Sequence, residues 1–195
     1  MVRLYWPVEL RPAFDALFAI DDAMADVVVR STEPRLAAIK LAWWRERLEE
    51  LDKGKVPAEP RLQAAAAELL PRGISGADLT ELEDGWLALL EESPDPDRAL
   101  NRGPRIFALA ARLIGGDPPD LLRPAGRLYA VGNLQRLRLA PRGSWTVTPA
   151  GPVPSCFRRL TGLAVLAKRD LHRREAEGSP GRAFALFRHR LTGRL

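Results

Sequence analysis

Apolar residues recur along this chain with the period of a helix. Leu10, Phe14, Leu17, Met24 and Val28 are spaced by three, four or seven positions, and Pro7 suits a first turn. The break "STEP" (31–34) ends that element. Ser31 or Thr32 is the expected cap of the next helix, with Pro34 in its first turn. Ala37, Leu41, Trp44, Leu48 and Leu51 then form a regular stripe, and Trp43 beside it predicts a wide buried face. "DKGKVPAEP" (52–60) is a connection, and "RLQAAAAELL" a strong helix former that ends at "PRG". Ser75 followed by Asp78 resembles a capping box opening a helix through "LTELEDGWLALLEE".

Further along, "SPDPD" breaks the pattern and "RIFALAARLIGG" resumes it, stopped by Gly115 and Gly116. "PPDLLRPAGRLYAVGNLQRLRLAP" is helical, with Pro124 and Gly132 as candidate kinks. Residues 141–154, rich in proline and glycine, read as a long loop. "CFRRLTGLAVLAKRDLHRRE" and "GRAFALFRHRL" close the chain as two more helices. No stretch alternates convincingly with period two. The expectation is an all-α single domain of roughly seven to nine helices.

Composition sharpens this only at a few points. A length of 195 residues suffices for one buried core, and 46% hydrophobic with 28% charged residues is ordinary for a globular protein. The single cysteine, Cys156, excludes an internal disulfide and points to a reducing, cytoplasmic setting. The opening "MVRLYWPVEL" lacks the apolar run of a signal peptide, and no stretch approaches the roughly 18 apolar residues of a membrane span.

The net charge of +5 hides an asymmetry. Residues 1–120 carry 15 Lys and Arg against 22 Asp and Glu, whereas residues 121–195 carry 15 against 3. No acid lies between Asp120 and Asp170. A basic half predicts an anionic partner, either a membrane surface peripheral to the cytoplasm or an acidic protein, unless it packs on the acidic half of its own chain. Arg158, Arg159, Lys168, Arg169, Arg173 and Arg174 cluster on or near one amphipathic helix beside an apolar "LTGLAVLA" face, the expected contact surface. Nucleic acid is not expected, because no stacking-aromatic module accompanies the charge. Trp6 and Trp145, near a terminus and in a loop, are candidate interface anchors; Trp43, Trp44 and Trp86 read as core.

Candidate chemistry is sparse. His172 and His189 lie among arginines without a convincing nucleophile partner and read as surface residues. Cys156 has no metal-binding context, and no glycine-rich phosphate loop is present. What remains is "DDAMAD" (21–26). Asp22 and Asp26 share a helix face, as a Mg²⁺-binding pair would; Asp26 and Arg30 have the same spacing and suit a plain surface ion pair. Asp21 falls on the apolar stripe, where a carboxylate needs a partner.

"YWPVELRPAFDALFAIDDAMADVV", followed by "STEP" and "LAWWRERLE", resembles the opening of the squalene/phytoene synthase family, and "FALFRHRLTGRL" is similar to the ending of bacterial members. The resemblance implies a terpenoid-synthase-like helical bundle over residues 1–195, shortened at its N-terminus. It also implies two DxxxD motifs on facing helices that hold prenyl diphosphates through Mg²⁺. Counted from "ALFAI" (16–20), the first motif falls on Ala25 and Val29, so Asp22 and Asp26 sit three residues early. The second motif corresponds best to "GNLQRLRLAPRG" (132–143), where Asn133 or Arg136 echoes it but the aspartates are missing.

The expectation is therefore a non-catalytic member, similar to the branch that assembles respiratory complex I, with an isoprenoid or lipid as its possible ligand and no cofactor. The alternative is a prenyl-diphosphate transferase in which Asp21, Asp22 and Asp26 act with Mg²⁺ and Arg30, Arg136 and Arg138 stand in for the second carboxylate cluster.

Overall fold

The computed structural model describes residues 2–116, 120–140, 145, 147, 151–173, 175–176 and 178–195, with backbone only at residues 2 and 4. Among these residues there are nine α-helices and no strand. They are α1 (Arg11–Arg30), α2 (Pro34–Leu51), α3 (Pro60–Glu68), α4 (Gly76–Thr80), α5 (Glu83–Leu87), α6 (Pro96–Leu113), α7 (Leu122–Arg136), α8 (Arg158–His172) and α9 (Pro180–Thr192). None of the helices is long and apolar enough to cross a membrane.

Helix α1 is the centre of the first half and touches α2, α3, α5 and α6. From α6 onward the order is serial: α6 packs on α7, α7 on α8, and α8 on α9. Ala13, Phe14, Leu17, Ile20, Met24 and Val28 of α1 are all buried. The whole stripe Ala37, Leu41, Trp44, Leu48 and Leu51 of α2 is buried as expected. Trp43 is not, being 43% exposed, so the buried face of α2 is narrower than predicted.

Prolines start four of these helices. Pro34, Pro60, Pro96 and Pro180 occupy the first helical position, where the missing N–H costs nothing. Ser75 and Asp78 form the capping box the sequence suggested. Neither Ser31 nor Thr32 caps α2: Glu33 holds the N-cap position, and the Ser31 hydroxyl donates to the Glu33 carbonyl. Pro7 is extended and is followed by a short 3₁₀ turn, so α1 opens only at Arg11.

Three further expectations need correction. The helix predicted through 76–92 divides into α4, α5 and a 3₁₀ turn (Ala88–Leu90). Gly85, a weak helix former, packs against the Cβ of Arg102 within that stretch. Helix α6 begins nine residues earlier than "RIFALAARLIGG", because Asp95 caps it by accepting from the N–H groups of Asp97 and Arg98. It then runs through Gly103 and Pro104, both buried against α7, so tertiary packing overrides the local breaker. In α7, Pro124 lies in the first turn and Gly132 presses on Ala167 of α8; α7 is continuous from Leu122 to Arg136. Most of the predicted 141–154 loop lies outside the described residues, and residues 145, 147 and 151–154 are non-helical.

Aromatic rings tie the segment before α1 to the core. Trp6 stacks on Phe14 and Phe18 at 4.6 and 5.6 Å between centroids, Phe18 meets Tyr129 edge-on, and Phe107 stacks on Tyr129. Trp6 is therefore a core residue and no interface anchor. Trp145 is half-buried and packs against the same core.

Candidate functional site

The acidic stretch of α1 is divided by the helix itself. Asp21 points inward, Asp22 is exposed, and Asp26 is half-buried on the side of α3. Successive residues on a helix turn by about 100°, so one short run serves three environments.

Asp21 anchors a buried polar network joining four helices. One oxygen accepts from the Trp86 indole N–H of α5 at 2.9 Å; the other accepts from Nη1 of Arg102 on α6. The second Arg102 nitrogen, Nη2, donates to Asn133 Oδ1 of α7 at 3.0 Å. The guanidinium also lies over the Trp86 ring, 4.1 Å from its centroid. Both charges are essentially without solvent, so their desolvation is offset only by each other and by these hydrogen bonds. The network is not fully satisfied, since Arg102 Nε is buried with no acceptor. Tyr129 sits beside it. Burial, and then the Asp21 charge, push its phenol well above the ordinary tyrosine range.

Asp22 marks the outer edge of this network. It is open to solvent on one side yet crowded by protein on the other. That desolvation, joined by the neighbouring Asp21 charge, raises its carboxyl above the usual range, while Arg136, Arg102 and Arg61 pull it back down. Asp26 faces a different set of cations. Arg61 of α3 donates to it at 3.1 Å, and Arg30 approaches at 3.6 Å from one turn along α1.

Several sequence candidates thus come together and others do not. Asp21 and Asn133 meet through Arg102, and Asp22 lies within electrostatic reach of Arg136. Asp22 and Asp26 do not form a shared cavity-facing pair: Asp26 is engaged by Arg61 and Arg30 on the outside of the bundle. Arg138 stands just past α7 with a left-handed backbone, φ 62°, and makes no ion pair with the α1 carboxylates. Among the described residues no three acidic, histidine or cysteine side chains gather as a metal site.

Arg102, Trp86 and Arg61 are contributors that the sequence reading did not place here. For Arg102 a signal existed: it lies on the apolar face of α6 with Ala99, Ile106 and Leu113, as anomalous there as Asp21 is on α1.

The basic cluster is also rearranged. Arg158 donates to the carbonyls of Val153, Arg190 and Leu191 and so closes the end of α9. Arg169 makes a bidentate pair with Glu175, and Lys168 donates to the Leu195 carbonyl oxygen. Arg159 and Arg173 are exposed, while Arg174 lies outside the described residues. The apolar "LTGLAVLA" face is core: Leu160, Ala164, Val165, Leu166 and Ala167 are buried. It is therefore closed to a membrane or partner. Arg127 does reach the acidic half, pairing with Asp97 at 2.6 Å. His189, expected on the surface, is buried between Thr161 and the Arg194 carbonyl.

No family model matches the chain, and neither a curated protein nor a solved structure resembles it significantly.

Proposed function

We propose that this chain is a squalene/phytoene synthase-like bundle without prenyl-transfer chemistry, acting by binding an isoprenoid or similar lipid, or in assembly of a respiratory complex. The observation that carries this reading is the use of Asp21. A carboxylate held by Arg102 and the Trp86 indole has its lone pairs directed into the core, where no substrate phosphate reaches them. In the sequence register of the resemblance, Asn133 and Arg136 of α7 fall where the family's chemistry calls for a second pair of carboxylates. A metal-bridged diphosphate needs negative ligands on both sides, and here one side is amide and cation. The same reading puts the protein in the cytoplasm, where the exposed Cys156 stays reduced.

One observation favours a second reading. Asp22 is open and sits in the field of Arg136 and Arg61, so an arginine-held diphosphate without metal is chemically reasonable there.

Calorimetry with farnesyl diphosphate, with and without Mg²⁺, and a product assay separate the two. The non-catalytic reading expects no condensed product and no Mg²⁺-dependent binding. Micromolar binding that requires Mg²⁺ and disappears in Asp22→Ala overturns it. Metal-independent binding lost in Arg136→Ala supports the arginine-held diphosphate instead.

A further inference from the structure

Helix α9 has two faces of opposite use. Arg182, Ala185, Leu186 and His189 point inward, and Arg182 pairs with Asp170 of α8. On the other side Phe184, Phe187 and Leu191 are 66%, 55% and 63% exposed. Their spacing of three and four places them within an arc of about 60°. Two phenylalanines and a leucine standing side by side in water form a continuous apolar ridge, which isolated exposed residues do not.

The charges around the ridge are of one sign. Arg188 and Arg190 lie on its two flanks, both exposed, the Arg190 guanidinium 5.6 Å from the Tyr5 ring, and Arg194 follows. No acidic residue occurs from 178 to 195. Beside Arg188 a shallow cleft is lined by Lys168, Arg169, His172 and Arg173. Of the acids that precede this segment, Asp170 is paired with Arg182 and Glu175 is held by Arg169 and Ser179; Glu177 lies outside the described residues. The other exposed apolar stripe, Leu36, Ile39 and Trp43 on α2, is interleaved with both signs, as Lys40, Glu46 and Arg47 show, and lacks this complementarity.

We infer that the outer face of α9 is a docking surface for an anionic phospholipid bilayer. Phe184, Phe187 and Leu191 insert at the level of the acyl-chain boundary. Arg188 and Arg190 extend along the ridge to the phosphates on either side, burying their stems and keeping their charges at the headgroups. In the adjacent cleft Arg169 is offset by Glu175, and Lys168 and Arg173 are the cations it adds near the surface. The arrangement suits a bilayer because ridge and flanking charges meet a plane together. It does not depend on the reading of the α1–α7 site.

Flotation of the full chain with phosphatidylglycerol-containing vesicles, against phosphatidylcholine vesicles alone, tests it. The wild type is expected to float with the anionic vesicles at low salt and to lose affinity as salt rises. Phe184→Ser/Phe187→Ser should bind roughly tenfold or more weakly, since two aromatic rings no longer leave water. Arg188→Glu/Arg190→Glu should weaken binding by about tenfold or more and flatten the salt dependence. Leu36→Ser/Trp43→Ser on α2 should bind as the wild type does. All these side chains are exposed, and circular dichroism verifies that each variant is folded. A wild type that ignores anionic vesicles at low salt overturns the inference, leaving an acidic protein as the occupant of the ridge. Equal binding by Phe184→Ser/Phe187→Ser, or an equal loss in the α2 variant, overturns it too.

Discussion

Arg102 and Asp21 are joined in the core of the bundle, α6 to α1, with neither side chain in contact with solvent. Such a pair is stabilising only relative to its broken halves, because each charge alone has no water to return to. Asp21→Leu should therefore cost about 3–5 kcal/mol, and Arg102→Met a similar amount. The double substitution Asp21→Leu/Arg102→Met should cost far less than the two together, since it removes both buried charges and the orphaned Arg102 Nε. Urea unfolding of the four proteins gives the coupling. Additive losses would mean that the two charges are solvated separately.

The close approach of α6 and α7 rests on two glycines. A Cβ placed at Gly103 would run into the Gly126 carbonyl, and one at Gly126 would meet the Gly103 backbone. Backbone cannot move aside as a flexible side chain can. Gly103→Ala should destabilise by about 1–3 kcal/mol through overpacking, and Gly126→Ala comparably. Gly54→Ala is a different case: its φ of 73° strains alanine, but no atom lies within contact distance. A Gly103→Ala protein with an unchanged melting temperature would show that α6 and α7 have room to separate.

The apolar stripes of α1 and α2 were legible in the sequence because burial on one face imposes the 3.6-residue period directly. The capping box at Ser75 was legible for a similar reason, since its partners lie three residues apart. What escaped was non-local. Asp21 and Arg102 are each anomalous on an apolar helix face, and only the fold shows that they answer one another across 81 positions. The apolar pattern marks α6 only from Arg105 onward, and Gly103 and Pro104, which precede it, are residues that let α7 approach. The sequence points to α8 for a contact surface, but the apolar face of that helix is core. On α9 the same kind of pattern carries two apolar faces, and periodicity alone does not say which one is covered.

The two adjacent tryptophans of α2 make a direct test of burial. Trp44 is nearly enclosed, whereas Trp43 stands out at the surface with Arg47 placed 6.0 Å from its ring. Trp44→Ala should cost about 3–5 kcal/mol, the transfer loss plus the cavity left behind. Trp43→Ala should cost only about 1 kcal/mol, with the exposed cation–π contact and the edge-on contact with the Trp44 ring removed. Equal losses would mean that α2 is rotated relative to the stripe described here.

His189 gives the fold a dependence on pH. Burial lowers its imidazole below the ordinary value near 6.5, outweighing the help of the Arg194 carbonyl, and the nearby Arg158 charge acts in the same direction as burial. The folded chain therefore binds this proton more weakly than the unfolded chain does. At pH 7.5 or above, about a unit over the reference value, both forms are mostly neutral and the group contributes no slope. As pH falls through the reference value the unfolded chain gains a proton that the folded chain resists, and stability drops until the folded pKa is passed. The raised carboxyls of Asp22 and Glu83 act in the opposite sense, because protonation favours their folded forms. A single pH curve would mix these effects, so the comparison with His189→Gln is the informative one. Glutamine keeps a polar group beside Thr161 but does not titrate. Chemical denaturation across the mildly acidic range should show the wild type losing more stability than the variant as pH falls. Parallel curves would mean that His189 takes up its proton as easily folded as unfolded.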